Sequence, residues 1–293
     1  MPALDSTLGA LFIGLVVSSM LNGVTLSQAW SYFGAQKQFK DPIWLKTLVA
    51  VVVTLDFVHQ VCTTNWLYIF CVTRYGDVDS LTLLPPSYLG MAYPTGFVTF
   101  AVQSFYVWRV WQLHGNLILP AGIFICSCAQ EAMQLYSMSV VGKNPNSAQF
   151  TGSLENIVIA VNSTGAGVDI MIALAMMYLL GFRGNQFKRT NHILTKLVTF
   201  AVTTGALTSI CAILVLALAI TKPDADYFLT FYLLLTRMYS NSLLATLNAR
   251  KGIRAGAANQ GAMSVHLQDS DNQVNMFRLN QLSEGRAASK YVC

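Results

Sequence analysis

Seven long apolar runs constrain this chain more than any other feature. An α-helix rises about 1.5 Å per residue, so about 20 apolar residues cross the hydrocarbon core of a bilayer. Runs of that length recur at Leu8–Phe33, Leu45–Thr73, Tyr88–Gln112, Leu117–Val141, Asn156–Leu180, Leu194–Ile220 and Tyr227–Asn248. Helix-breaking words separate them: Lys40-Asp41-Pro42, Leu84-Pro85-Pro86, Lys143-Asn144-Pro145 and Lys222-Pro223-Asp224. Composition agrees, with 11% charged residues against roughly 25% in soluble domains. The pattern predicts an all-α fold, an integral membrane seven-helix bundle over residues 1–254. Residues 255–293 are polar, lack an apolar period and are expected to form a disordered cytoplasmic tail.

Orientation follows from lysine and arginine. Eleven of them flank one side of the runs (Lys37, Lys40, Lys46, Arg109, Arg183, Lys188, Arg189, Lys196, Arg250, Lys251, Arg254) and three the other (Arg74, Lys143, Lys222). This puts the N-terminus outside and the C-terminus in the cytoplasm, with the plasma membrane as the expected location. The first run carries Asp5 ahead of it, which does not fit a cleavable signal peptide. Trp30, Trp44, Trp108 and Trp111 all fall at the predicted cytoplasmic boundary, where tryptophan is favoured. The net charge of +5 sits beside apolar runs, so the expected partner is the lipid bilayer and not nucleic acid. The basic face also suits a cytoplasmic protein partner.

Six cysteines give no disulfide framework, since five lie in apolar runs and Cys293 is terminal. Cys126 and Cys128 lack zinc-ligand spacing, and the pattern calls for no metal or cofactor. Pro94 lies well inside the third run and predicts a kink there.

Ionisable groups inside a span are costly and face the bundle interior. Asp56, Glu131, Asp169 and Arg237 are such groups. Counted along their helices, Asp56 lies ~16 Å, and Asp169 and Arg237 ~18 Å, from the cytoplasmic ends of their spans. Equal depth and opposite charge predict that Arg237 meets Asp56, Asp169 or both. Their neighbours share helix faces: Asp56 with His59, Gln60 and Thr63; Asn162 with Gly165 and Asp169; Arg237 with Asn241 and Asn248; Gln130 with Cys126 and Gln134, and Glu131 beside them. The candidate ligand-binding set is therefore Asp56, His59, Gln60, Gln130, Glu131, Asn162, Asp169, Arg237 and Asn241, around a cavity for a small ligand or ion. Gly14 and Ser18 on the first span read as close packing.

Several words resemble a known family: Thr7-Leu-Gly-Ala-Leu-Phe-Ile-Gly14, Asp56-Phe-Val-His59-Gln60, Gln103-Ser-Phe-Tyr-Val-Trp108-Arg109-Val-Trp111, Thr204-Gly-Ala-Leu-Thr-Ser209 and Tyr239-Ser-Asn-Ser-Leu-Leu-Ala-Thr-Leu-Asn-Ala-Arg250. Together they are similar to a large family of seven-span membrane proteins from mushroom-forming fungi, known only as a domain of unknown function. The resemblance covers roughly residues 4–254. It implies a fungal membrane protein with a variable cytoplasmic tail, and no activity.

Three functions compete. Seven spans, an outside N-terminus and a polar interior suit a receptor-like, ligand-sensing protein. The third run ends in Trp108-Arg109-Val110 and the seventh holds Asn241-Ser-Leu-Leu, so neither rhodopsin-like signature is met. No lysine lies inside the seventh run to hold retinal. A small-molecule or proton-linked transporter would use Asp56 or Asp169 as its carboxylate. An intramembrane enzyme fits least. Gly165-Ala-Gly167-Val-Asp169 places its aspartate one residue off the presenilin-type spacing, and His59 is the one histidine in a span, too few for a zinc hydrolase. The chain is expected not to be an enzyme.

The orientation is tested by a cysteine probe at Gln186, in the strongly basic loop. An impermeant thiol reagent added to intact cells leaves it unlabelled; labelling from outside would overturn the topology.

Overall fold

Prolines and glycines mark where the helices begin and end. The structure, a computed structural model, describes residues 5–35, 41–77, 84–143, 153–183, 205–206, 208–218, 221 and 227–249. Helix α1 is Ala10–Gly34, entered through a π-helical turn at Asp5–Gly9. Helix α2, Ile43–Tyr68, starts after Pro42 and runs on as a π-helical turn over Ile69–Thr73. Helix α3, Pro86–His114, opens on a proline, whose missing N–H has no partner to lose in a first turn. It stops at Gly115, whose φ of 74° is left-handed and whose N–H caps the Trp111 carbonyl at 3.0 Å. Helices α4 (Ile118–Lys143), α5 (Ser153–Arg183), α6 (Thr208–Leu218) and α7 (227–249) follow. Among the described residues there are seven helices and no strand. Pro94 lies inside α3, which continues through it. The basic loop around Lys188, most of the sixth run's first half and the tail from Arg250 onward lie outside the described residues.

Side-chain contacts fix the relative directions of the helices. On α1, Ser18 and Asn22 meet Gln60 and Asp56 of α2, so the two are antiparallel. Leu21 and Gln28 meet Asn241 and Asn248, so α1 and α7 are parallel. Thr95 and Tyr106 meet Thr236 and Ser242, so α3 is parallel to α7 as well. Gly96 and Gln103 meet Glu131 and Gln130, so α4 opposes α3. The helices build one compact unit, Met1–Asn248.

The polarity of this bundle is inverted relative to a water-soluble one. Phe12, Ile13, Met20, Phe57, Val61, Ile125, Leu174 and Ile210 are exposed on its outside. Asp56, His59, Gln103, Asp169 and Arg237 are buried within it. So much contiguous exposed apolar surface belongs against lipid, and polar groups in lipid must find partners inside the protein. Among the described residues four helices are long and apolar enough to cross a membrane: Thr7–Gly34, Ile43–Thr73, Ile118–Lys143 and Ile159–Leu179. The chain is thus a membrane protein.

Helices α3 and α7 miss that criterion for a physical reason. They are the helices most enclosed by others: α3 packs on α2, α4 and α5, and α7 buries Thr236, Arg237, Ser240, Ser242 and Thr246. Their polar residues meet protein instead of lipid, so they can be less apolar without penalty. At the ends of α1 and α3 and the start of α2, Trp30, Trp44 and Trp111 are exposed, and Trp44 meets Trp108 edge to face at 4.7 Å. The aromatic cluster read from the sequence therefore sits at one end of the bundle.

The core has a layered order. Leu11, Trp66, Leu67, Phe70, Met91 and Leu233 form an apolar cluster toward the end where α1 starts. Ala29, Tyr32, Leu45, Val49, Val52, Leu243, Leu244 and Leu247 belong to a larger cluster that reaches the other end. Along α1 and α2 the buried polar residues fall between these two layers, and on α7 Thr236, Arg237 and Ser240 do so.

Candidate functional site

The polar interior divides into two parts. The first is centred on Arg237, which has no exposed side-chain surface and lies between α1, α2 and α7. Its Nη1 contacts Asp56 Oδ1 at 2.5 Å and donates to the Asp56 carbonyl at 2.7 Å. Its Nη2 donates to Gln60 Oε1 at 3.0 Å and to His59 Nδ1 at 2.8 Å. Its Nε donates to Ser18 Oγ at 3.1 Å. A guanidinium has five N–H groups, and here each has an acceptor. His59 must then be neutral at Nδ1, with its proton on Nε2. Asp56 is equally well held: Ser240 donates to Oδ1 at 3.1 Å and Asn22 to Oδ2 at 3.1 Å. Lysine, with a single ammonium, could not reach this planar set of acceptors.

The α1–α7 seam extends the lock. Asn241 donates to the Leu21 carbonyl at 3.1 Å and to the Arg237 carbonyl at 2.9 Å. Asn248 donates to the Gln28 carbonyl at 2.8 Å. Above them Gly14 lets the helices close: a Cβ there would lie 3.2 Å from the Thr230 Cα. Any side chain at this position would have to push Thr230 away by a few tenths of an ångström, so glycine favours the close approach.

The second part lies among α3, α4, α5, α6 and α7. Asp169 is buried, and it does not meet Arg237. Tyr239 donates to its Oδ2 at 2.5 Å and Gln103 to its Oδ1 at 3.2 Å. The same Gln103 nitrogen donates to Gln130 Oε1 at 3.1 Å. Glu131 is partly buried, and its Oε1 has no hydrogen-bond partner among the described residues. Three cavities follow one another here. The central one, about 40 Å³ for the centres of water-sized occupants, is walled by Thr99, Gln130, Glu131, Asn162, Tyr232 and Tyr239 among others. A second of about 40 Å³ shares Gln134, Val161, Asn162 and Tyr232 with it and extends toward Tyr88 and Phe228. A third of about 20 Å³ adjoins Asp169, Tyr106, Thr208 and Ser242, and shares Tyr239 with the central one. Each has room for at least one water. No lysine, arginine or histidine lines any of the three among the described residues.

The candidate residues read from the sequence thus separate. Asp56, His59, Gln60, Arg237 and Asn241 belong to the lock between α1, α2 and α7. Gln130, Glu131, Asn162 and Asp169 line the cavities. The expected single cluster of one arginine with two aspartates resolves into one ion pair and one separate carboxylate, because Tyr239 and Gln103 occupy the acceptor positions of Asp169. Ser18, read as packing, is also an acceptor for Arg237 and a donor to Gln60 at 3.5 Å. Asn22, Gln103, Ser240 and Tyr239 were not foreseen. For Asn22 the signal was present: Gly14, Ser18, Asn22 and Thr25 recur at helical spacing on one face of an otherwise apolar run.

The division predicts unequal costs. Asp56→Asn leaves a buried arginine without its counter-charge, a change worth ~3–5 kcal/mol. Asp169→Asn keeps an acceptor for Tyr239 and should cost about 1–3 kcal/mol. Thermal denaturation of the purified variants in detergent should show the larger drop in melting midpoint for Asp56→Asn; equal drops would contradict the division.

No curated protein and no solved structure matches the chain. Residues 165–252, the stretch that carries Asp169, Arg237, Tyr239 and Asn241, match the model of a family described as "Family of unknown function (DUF6534)".

Proposed function

We propose that this chain is a seven-span membrane protein of receptor-like type that senses a small ligand in the chamber among α3 to α7. In this reading all seven helices cross the bilayer, the N-terminus is outside, the C-terminus is cytoplasmic, and the protein resides at the plasma membrane. The directions of α1 to α4 and α7, which fit alternate crossings, and the one-sided distribution of basic residues support that arrangement. The observation that carries the functional reading is the contrast between the two halves. In the lock, the buried charges are balanced and the guanidinium donors are bonded. In the chamber, two carboxylates line neighbouring cavities that share Tyr239, with no cationic partner among the described residues. The contrast is one of charge: the lock keeps orphaned neutral atoms, His59 Nε2 and Asn241 Oδ1, but no unbalanced ion, whereas carboxylates beside cavities without a cation suit an occupant.

A proton-linked transporter is the second reading. It is favoured by Asp169, whose short bond from Tyr239 lies between the central and the third cavity. Alternating access would require both ends of the chamber to open in turn. The two readings separate by water accessibility. A nitroxide at Ser137 reports the cavity toward the outer face, and one at Ala173 the cavity beside Asp169. In oriented vesicles, a water-soluble paramagnetic reagent outside should broaden the Ser137 signal and leave Ala173 unchanged in a receptor. Broadening of Ala173 from either side would favour transport and contradict the receptor reading.

A further inference from the structure

The central cavity has a carboxylate in its wall, and the cavity next to it is largely apolar. We propose that the chamber takes a small organic ammonium, a protonated amine carrying an apolar group, with Glu131 as its counter-ion. The inference rests on reading these cavities as a ligand chamber and adds the chemical class of the ligand.

Four observations lead to that class. Glu131 Oε1 is buried, with no hydrogen-bond partner among the described residues, in a wall that also holds Thr99, Gln130 and Asn162. A carboxylate oxygen placed this way lacks a donor, and an ammonium supplies up to three. Gly96 makes room for the group: a Cβ there would lie 3.0 Å from both carboxylate oxygens. The charge count favours a cation, because Arg237 is committed to Asp56, and Glu131 and Asp169 have no basic neighbour in the cavity walls among the described residues. An anion would add a third negative group to that space, and a neutral polyol would leave Glu131 uncompensated. Finally, the adjoining cavity continues past Tyr232 to Met138, Val215, Phe228 and Leu229, a surface for an aromatic ring or short alkyl chain. Tyr232 and Tyr239 also line the central cavity, and aromatic rings are a residue type that attracts cations.

Charge-selective modification tests the proposal without a known ligand. Asn162 borders both cavities. Asn162→Cys is introduced into the full chain with its six native cysteines changed to alanine. Vesicles are treated with cationic 2-aminoethyl or anionic 2-sulfonatoethyl methanethiosulfonate, each rate being normalised to that on a free thiol. The cationic reagent should react at least tenfold faster. The ratio should fall to near one in Glu131→Gln and persist in Glu131→Asp, which keeps the charge. Phenethylammonium should slow the cationic reagent at concentrations at least tenfold lower than methylammonium requires. A ratio near one with Glu131 present, or one unchanged in Glu131→Gln, overturns the ammonium class and leaves the chamber standing. Loss of the ratio in Glu131→Asp does the same. Equal or absent protection by the two amines overturns the apolar-amine class. If neither reagent reaches position 162, the chamber itself is refuted, and the inference with it.

Discussion

The structure depends on a guanidinium placed where water does not reach. A buried arginine is costly unless its charge and all its N–H groups are matched. Arg237 meets that condition through three helices at once: Ser18 from α1, and Asp56, His59 and Gln60 from α2, received by α7. Removing a helix would leave donors without acceptors. The network thus sets which helices are neighbours and at what height, something apolar contacts alone do loosely, since lipid tails are as apolar as leucine. Apolar layers toward either end, around Trp66 and around Val49, hold the pair in a low-dielectric setting where an incorrect register would be heavily penalised.

With α1, α2 and α7 held together, any adaptability falls to the other side. There the interior polar groups are bonded in smaller sets, such as Gln103 with Asp169 and Gln130, and cavities remain between them. Helix α7 belongs to both halves. Arg237 and Ser240 point to the lock, and Tyr239, between them in sequence, reaches Asp169 in the chamber. Tyr239 in the chamber and Arg237 in the lock thus share one helix. Under the receptor-like reading proposed above, this shared helix would be the route from ligand to scaffold.

Much of the architecture was legible in the sequence. Apolar run length and proline spacing placed α1 to α4 within a few residues of their observed ends and fell on the described helical stretches of α5 and α7, because in a membrane protein hydrophobicity and helix length are set by one quantity, the bilayer thickness. Depth counting found Arg237 and Asp56 as possible partners, and helical periodicity put His59, Gln60 and Thr63 on the right face. The choice between Asp56 and Asp169 was not legible. It turns on helix rotation and on Tyr239 and Gln103, neutral residues whose type carries no charge signal. Asn22 and Ser18 were hidden for a related reason: small polar residues in an apolar helix look the same whether they pack or bond. The separation of lock from chamber needed the three-dimensional neighbours of each carboxylate.

The central claim is that Arg237 is bound energetically to Asp56 and not to Asp169. A double-mutant cycle measures this directly, with unfolding free energies of Arg237→Leu, Asp56→Leu and the pair obtained by steric trapping in bicelles. Coupled buried pairs deviate from additivity by about 0.5–3 kcal/mol. The account predicts a coupling near the upper end of that range for Arg237 with Asp56, and one within about 0.5 kcal/mol of zero for Arg237 with Asp169 in the matching cycle. Additive losses for Arg237 and Asp56, or a stronger coupling to Asp169, would contradict it.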